Sequence, residues 1–464
     1  YGPVPGPWVA LPWRPRMDAG ERSRPFHWTL KREGIIAPDE RLPWGQTIAV
    51  GLQHIFAMFG ATVLGPILMG FDPNTAILFS GIGTLIFFVV VGGRVPSYLG
   101  SSFAFIAVVN AASGFGSGGT PNFAVALGGI IAAGALYAGV GVVVMAVGYR
   151  WIERLMPPVV TGAVVAVIGL NLAPVAISDL AGKDAATTSF NQLIGLFTVL
   201  SVAAVAVYAP GILRRLPILI GGVIGYVVYL VLANGMGMGP AIDFTKLGDA
   251  AWIGMPNFTA PSFSIGAITL IAPVALVLVA ENLGHVKAVG AMTGRNLDPY
   301  LGRAFLGDGI ATMVAGFGGG TGVTTYAENI GVMAVTKIYS TLIFVIAAIV
   351  AIALGFSPKF GALIGTIPWA VLGGLAIILF GLIAATGARI WGENKVDFSS
   401  SRNLITVAAA LTMGAGNFTV KIGDFEMGGI GTATLTAIIL YQVLSARGGG
   451  AAAPEPAPGA TTSA

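Results

Sequence analysis

The chain has 464 residues, 55% of them hydrophobic and 9% charged, with a net charge of +4 and no cysteine. A soluble domain carries about 25% charged residues, so this composition excludes one and indicates a membrane protein built from helices of about 20 apolar residues. It also excludes disulfides and cysteinyl metal or redox centres, and basic residues scattered over short loops carry no nucleic-acid signature.

Residues 1–44 are rich in Pro and Arg, lack the apolar core of a cleavable signal, and are expected to form a cytoplasmic tail. Beyond the tail, apolar runs punctuated by Gly, Pro and charge predict fourteen membrane segments. The first seven lie near 47–68, 74–93, 98–114, 122–148, 157–178, 190–208 and 216–234. The second seven lie near 266–291, 301–317, 322–338, 340–356, 361–385, 402–417 and 427–446. With a cytoplasmic N-terminus, only Lys183, Lys246, Lys359 and Lys421 of the 24 Lys and Arg fall outside. That bias sets both termini in the cytoplasm, and a missed segment would flip every later loop. Residues 447–464 are low in complexity and expected to be disordered.

The segments divide into seven plus seven, and an odd number of spans per repeat inverts the second half. The third segment of each half is unusual in the same way. One reads Pro96-Ser97-Tyr98-Leu99-Gly100-Ser101-Ser102-Phe103-Ala104-Phe105; the other runs from Gly318 to Glu328. Each starts with poor helix formers and then turns helical. Segments 3 and 10 are therefore each expected to be a short extended strand plus a half-helix. The half-helices would begin near the membrane midplane, their free N–H groups and positive dipole ends facing each other. Exposed backbone at that depth is tolerated only inside protein or beside a cavity, and paired interruptions mark a transporter binding site.

Acidic residues in mid-membrane cost several kcal/mol and usually have a function. Glu328 stands at the first turn of the second half-helix, where it either caps that helix or accepts hydrogen bonds from N–H donors of a ligand. Glu281 and His285 share one face of segment eight at i and i+4. They form either a buried pair joining helices or a proton site in which His285 shares or relays the proton of Glu281. Lys287, nearer the cytoplasmic end, is expected to snorkel. Phe103 lies opposite Glu328 by the pseudo-symmetry and offers either core packing or a flat ring for a planar heterocycle. Gln53, His54 and Asp308 are expected to hold the broken segments rather than touch substrate, and Tyr326 could do either. No metal-ligand spacing, no nucleophile elbow with triad partners and no phosphate loop is present in the sequence.

The stretch Glu328-Asn329-Ile330-Gly331-Val332-Met333-Ala334-Val335-Thr336-Lys337 resembles the signature of the nucleobase/ascorbate transporter family. Gln53-His54, Gly100-Ser101-Ser102-Phe103-Ala104-Phe105 and Ala280-Glu281-Asn282-Leu283-Gly284-His285 resemble that family's motifs on its first, third and eighth segments. The resemblance covers about residues 35–446, and its nearest subgroup is the bacterial uracil permeases. It implies a core domain from 45–156 and 266–357, and a gate domain from 157–265 and 358–446. It further implies a homodimer joined through the gate domain, coupling to H+ or Na+, and no cofactor. Carried over to this chain, Glu281 and Glu328 would bind the base, His285 would support proton coupling, and Phe103 would stack and donate its backbone N–H. Ala327 and Tyr326 would border the substrate, and Asn329 would support the site. Two positions depart from the uracil permease pattern: Ala327 replaces a Gly, and Phe380 stands where a Tyr is expected.

Uracil presents two ring N–H donors and two carbonyl acceptors in one plane. Two carboxylates accept from the former, and backbone N–H groups at the helix starts donate to the latter; analogues lacking these groups leave buried polar atoms unpaired. Glu at the first motif position, rather than Gln or Pro, favours uracil or thymine, with xanthine or urate as alternatives. The expected function is proton symport of a pyrimidine base by alternating access. A facilitator without coupling, an anion carrier of the related sulfate-carrier fold and a membrane hydrolase are the competing readings.

Overall fold

The computed structural model describes residues 26–116, 120–181, 187–211, 213–423 and 425–447. Of the C-terminal tail expected to be disordered, residue 447 ends a helix and 448–464 lie outside that set. Strand β1 (Thr29–Leu30) pairs in parallel with β2 (Glu40–Arg41) ahead of α1 (Trp44–Met69) and α2 (Pro73–Val90). Strand β3 (Leu99–Ser101) passes through a tight turn at Phe103–Phe105 into the short α3 (Ile106–Ser113). Helices α4 (Phe123–Val147), α5 (Arg150–Leu155), α6 (Pro158–Ala181), α7 (Thr188–Tyr208) and α8 (Pro217–Leu230) follow. A long connection holding α9 (Thr245–Asp249) leads to α10 (Ile265–Ile271) and α11 (Val274–Thr293), and α12 is Leu301–Phe317. Strand β4 (Val323–Thr325) opens into α13 (Ala327–Thr336), followed by α14 (Thr341–Gly355) and α15 (Pro358–Gly365). The chain closes with α16 (Trp369–Glu393), α17 (Ser401–Ala415), the β5 (Val420–Ile422) to β6 (Phe425–Met427) hairpin and α18 (Gly429–Arg447). Among the described residues nine helices are long and apolar enough to cross a membrane, or ten when α14 and α15, bent by 82°, count as one span.

Local chemistry explains the boundaries. Pro73 opens α2 behind Asp72, whose carboxylate accepts from Asn74 N–H, and Pro358 opens α15 behind the cap Ser357. Gly70, Gly114 and Gly294 end α1, α3 and α11 in the left-handed conformation. The segment expected at 361–385 is displaced. Apolar residues run through it without a charge, but Pro368 splits it into α15, which ends at Gly365, and α16, which continues to Glu393.

Helices pack through small residues, as membrane helices do. On α4, Gly134 and Gly141 lie against the backbone of Gly309 and Gly302 on α12. On α6, Gly162 meets the Gly387 backbone of α16. A Cβ on Gly141 would sit 2.5 Å from the Leu306 backbone nitrogen, which cannot yield as a flexible side chain would. Gly141→Val should therefore cost about 1–3 kcal/mol or more and sharply reduce the monodisperse fraction on gel filtration in detergent; wild-type yield would refute this packing.

The region read as a tail is docked where the structure describes it. Ile36 is buried; its N–H donates to Lys337 O at 3.1 Å, and Tyr339 N–H donates to Ile36 O at 2.8 Å. Trp28 Nε1 donates to Thr341 at 2.9 Å, and Arg295 pairs with Asp39. These bonds secure Lys337, the left-handed residue that ends α13.

Candidate functional site

Strands β3 and β4 form a two-stranded antiparallel ladder, Leu99 opposite Thr325, Gly100 opposite Thr324 and Ser101 opposite Val323. Ser102 N–H to Gly322 O at 2.9 Å and Tyr326 N–H to Tyr98 O at 3.0 Å extend it at either end. Because the strands are antiparallel, α3 and α13 leave from opposite ends of the ladder. A threonine on a neighbouring helix holds each strand. Leu99 N–H donates to Thr84 of α2 at 2.9 Å, and Val323 N–H donates to Thr312 of α12 at 3.2 Å. The ladder satisfies backbone groups that apolar surroundings would leave costly.

Glu328 occupies the first turn of α13 and is partly exposed, with Ala327 open beside it. Glu328 lines a cavity of about 680 Å³ with Phe56, Gly331, Val335, Leu382 and Arg214. Glu281 lies on α11 close enough to Glu328 for their charges to interact, and its Oε2 is buried without a hydrogen-bond partner among the described residues. The two acids are thus within electrostatic reach of each other, with Glu328 on the cavity wall. A buried unpaired carboxylate oxygen costs several kcal/mol unless something arrives to satisfy it. A second cavity, about 280 Å³, lies between α1, α8 and α15–α16, but its lining is apolar apart from the Tyr226–Thr366 hydroxyl pair.

His285 is not hydrogen-bonded to Glu281, as proton sharing within that pair requires. Its Nδ1 lies 2.8 Å from Oγ1 of Thr325, a residue of β4. Thr325 Oγ1 in turn donates to Asn282 Oδ1 at 3.4 Å. Asn282 Nδ2 donates to Asp308 at 2.8 Å and to the Tyr137 hydroxyl at 2.8 Å. Asp308 is therefore fully buried in a chain of side chains behind β4. On the other side, Asn329 Nδ2 lies 3.0 Å from His54 Nδ1 and donates to His54 O at 3.1 Å, so the motif asparagine ties α13 to α1. Gln53 is buried with its Nε2 unpartnered among the described residues.

Tyr326 is turned into the protein. It is buried, its ring fills the space over Gly100, and its hydroxyl donates to Ser101 O at 2.9 Å while accepting from Thr62 at 3.2 Å. The phenol thus joins strand β3 to helix α1. Phe103 is buried and meets Phe380 of α16 edge to face, centroids 5.6 Å apart and planes at 82°. Lys287 does not snorkel freely. It bridges Glu153 of α5 at 2.8 Å and Asp298 at 2.7 Å, and it lies over the Tyr149 ring. The Tyr149 hydroxyl donates to Asp298, which raises its pKa above the ordinary phenol value.

Sequence reasoning missed Asn282, Thr325, Tyr137, Thr84, Thr312 and Thr62. Thr62, Thr84, Tyr137 and Thr312 are each a lone polar residue in an apolar run, and Asn282 and Thr325 stand beside more conspicuous neighbours, weak signals that gain meaning only when the packing is known. No group of three or more His, Asp or Glu among the described residues could hold a metal ion.

The sequence profile described as "Permease family" matches residues 45–423. The chain is 60% identical over 424 residues to the Escherichia coli K12 protein named "Putative pyrimidine permease RutG", covering 90% of this chain and 95% of that one. It is 42% identical over 418 residues to the uracil permease of Paenibacillus larvae, covering 88% and 96%. It is 41% identical over 418 residues to the uracil permease of Escherichia coli K12, covering 88% and 94%. Among solved structures, murine Slc26a9, an anion transporter in the inward-facing state, superposes with a TM-score of 0.61 at 12% identity, over 87% of this chain and 69% of that one. The transmembrane domain of the cyanobacterial bicarbonate transporter BicA gives 0.58 at 16% identity, over 85% and 96%. These two likenesses concern the fold alone. The chain is a multi-pass membrane permease rather than an enzyme, and it belongs to the nucleobase/ascorbate transporter family.

Proposed function

We propose that this permease imports a pyrimidine nucleobase, uracil or thymine in the same slot, by proton symport with alternating access. One observation carries the reading: Glu281 presents a buried, unpartnered carboxylate oxygen next to Glu328 at the start of α13. Two acidic acceptors within electrostatic reach of each other suit the two N–H donors of a neutral planar base, and the Phe103 ring supplies an apolar face. Relatives named uracil permeases support the substrate class.

In this proposal Glu281 takes a proton from the outside, completing the site for a neutral base. His285, Thr325, Asn282 and Asp308 hold the acid's surroundings in register. Residues 45–156 and 266–357 act as a core moving against a gate of 157–265 and 358–446, through which two copies pair. Fourteen segments follow when β3–α3, α12, β4–α13 and α17 join the ten longer spans. The Glu328 cavity reaches Arg214, which the positive-inside bias sets in the cytoplasm, so it serves as the release path.

Labelled-uracil uptake in a permease-null strain, with competition by thymine, xanthine and sulfate, tests the substrate class. Thymine should compete and sulfate should not; displacement by xanthine alone would reassign the base. An anion-carrier reading draws on the named cargoes of the two solved neighbours. It is disfavoured because two acids would repel an anion; sulfate flux that survives Glu328→Gln would support it. Thr325→Val removes the hydroxyl between His285 and Asn282, a net loss of about 1–1.5 kcal/mol. Uptake should fall roughly tenfold, and Thr325→Ser should restore it; equal uptake by the Val variant would remove this link from the account.

A further inference from the structure

The connection from α8 to α10 carries three large apolar side chains on its outside: Trp252, Ile253 and Met255 are 75%, 85% and 72% exposed. It is not a loose loop. Gly254 N–H donates to Phe356 O at 2.9 Å, Lys359 N–H donates to Ala251 O at 2.9 Å, and Lys359 Nζ donates to Gly248 O at 3.0 Å. Further along, Asn257 Nδ2 donates to Asp72 at 3.0 Å, the Thr75 hydroxyl donates to Asn257 O at 3.0 Å, and Ser262 N–H donates to Ala124 O at 2.8 Å. The backbone is thus strapped to α2, α4 and the α14–α15 corner, and that fastening turns the three side chains outward. A water-facing surface seldom leaves such a patch uncovered.

Two observations identify what covers it. The exposed apolar surface continues along the chain through Phe258, Phe263 and Ile265 into the span Ile265–Thr293, whose outer face meets lipid. The Lys359 ammonium lies 5.5 Å from the Trp252 ring centroid, leaving N–H donors free beyond its bond to Gly248. Tryptophan with a neighbouring cation, set beside aliphatic side chains at the end of a span, is the composition of a membrane–water interface. Lys246 adds a second positive charge to the same connection.

We propose that Trp252, Ile253 and Met255 insert into the boundary between headgroups and acyl chains, with Lys359 directed at lipid phosphate. The leaflet is the outer one in the orientation given above. The occupant is phospholipid, and the contact anchors the connection between α8 and α10 at a fixed depth.

The chain has no cysteine, so Ile253→Cys provides a single labelling site. That variant would carry an environment-sensitive nitrobenzoxadiazole label in nanodiscs of phosphatidylethanolamine and phosphatidylglycerol, which leave both faces open to solutes. Asp249→Cys, on exposed α9, serves as the control, and both variants must match the unlabelled protein on gel filtration. Lipids bearing a shallow nitroxide should quench the label at 253 strongly, and aqueous iodide should barely affect it. The label at 249 should show the reverse. Iodide quenching at 253 with no response to nitroxide lipid would overturn the proposal, since the patch would then face water. Protection from both quenchers would also overturn it, since protein, such as a second copy of the chain, would then be the cover.

Discussion

Glu328→Ala should abolish uracil uptake while leaving folded, monodisperse protein in the membrane. The carboxylate stands in the first turn of α13 and opens onto the 680 Å³ cavity, and no other side chain is hydrogen-bonded to it among the described residues. Its removal therefore costs only the bond the carboxylate accepts from its own backbone N–H at the start of α13; Asn329 continues to tie α13 to His54, and β4 remains paired with β3. What disappears is an acceptor for a ring N–H. A hydrogen bond to a charged group contributes about 1.5–3 kcal/mol, and the orphaned donor on the base adds its own desolvation cost. Together these amount to roughly a hundredfold or greater loss of uptake at subsaturating uracil. The same uptake assay with quantified membrane protein reads both parts. Normal transport by the variant would be incompatible with a site at α13.

Glu281→Gln should separate binding from coupling. The amide has the shape of a protonated carboxyl, so under the proposed mechanism it mimics the loaded acid permanently. The variant should bind uracil and exchange internal for external base, yet fail to accumulate it against a gradient. Accumulation should fall about tenfold or more, because a carrier that cannot release its proton cannot use the proton gradient. Exchange and net accumulation measured on one batch of proteoliposomes distinguish this from simple damage. Accumulation at the wild-type rate with proton uptake intact would place the proton on another residue, with Asp308 behind β4 as the next buried acid.

The acids were legible because a charge inside an apolar run is conspicuous whatever the fold. The two strand-plus-helix stretches were legible for a related reason: Pro96 to Phe105 and Gly318 to Glu328 hold poor helix formers where a span should be. Side-chain direction was not legible. Tyr326 and Glu328 are two residues apart, but one leaves the end of a strand toward Gly100 and the other leaves the first turn of a helix toward a cavity. That difference depends on where extended backbone gives way to helix, which residue order does not specify to within one position. The partner of His285 was hidden similarly. The i, i+4 rule put Glu281 beside it on α11, whereas the hydroxyl of Thr325 comes from a strand forty residues away in sequence. The docking of residues 26–43 was missed because a Pro- and Arg-rich composition resembles a free tail, and only Ile36 and Trp28 hint otherwise.

The most direct test of the account uses purified protein in proteoliposomes, with uracil entry and internal pH followed together. An imposed inward proton gradient should drive uracil above its external concentration. Uracil added without a gradient should alkalinise the outside as it enters, and both responses should vanish in Glu281→Gln. Uracil entry that only equilibrates, is indifferent to the proton gradient and moves no protons would contradict the symport mechanism; no uracil entry at all would contradict the substrate.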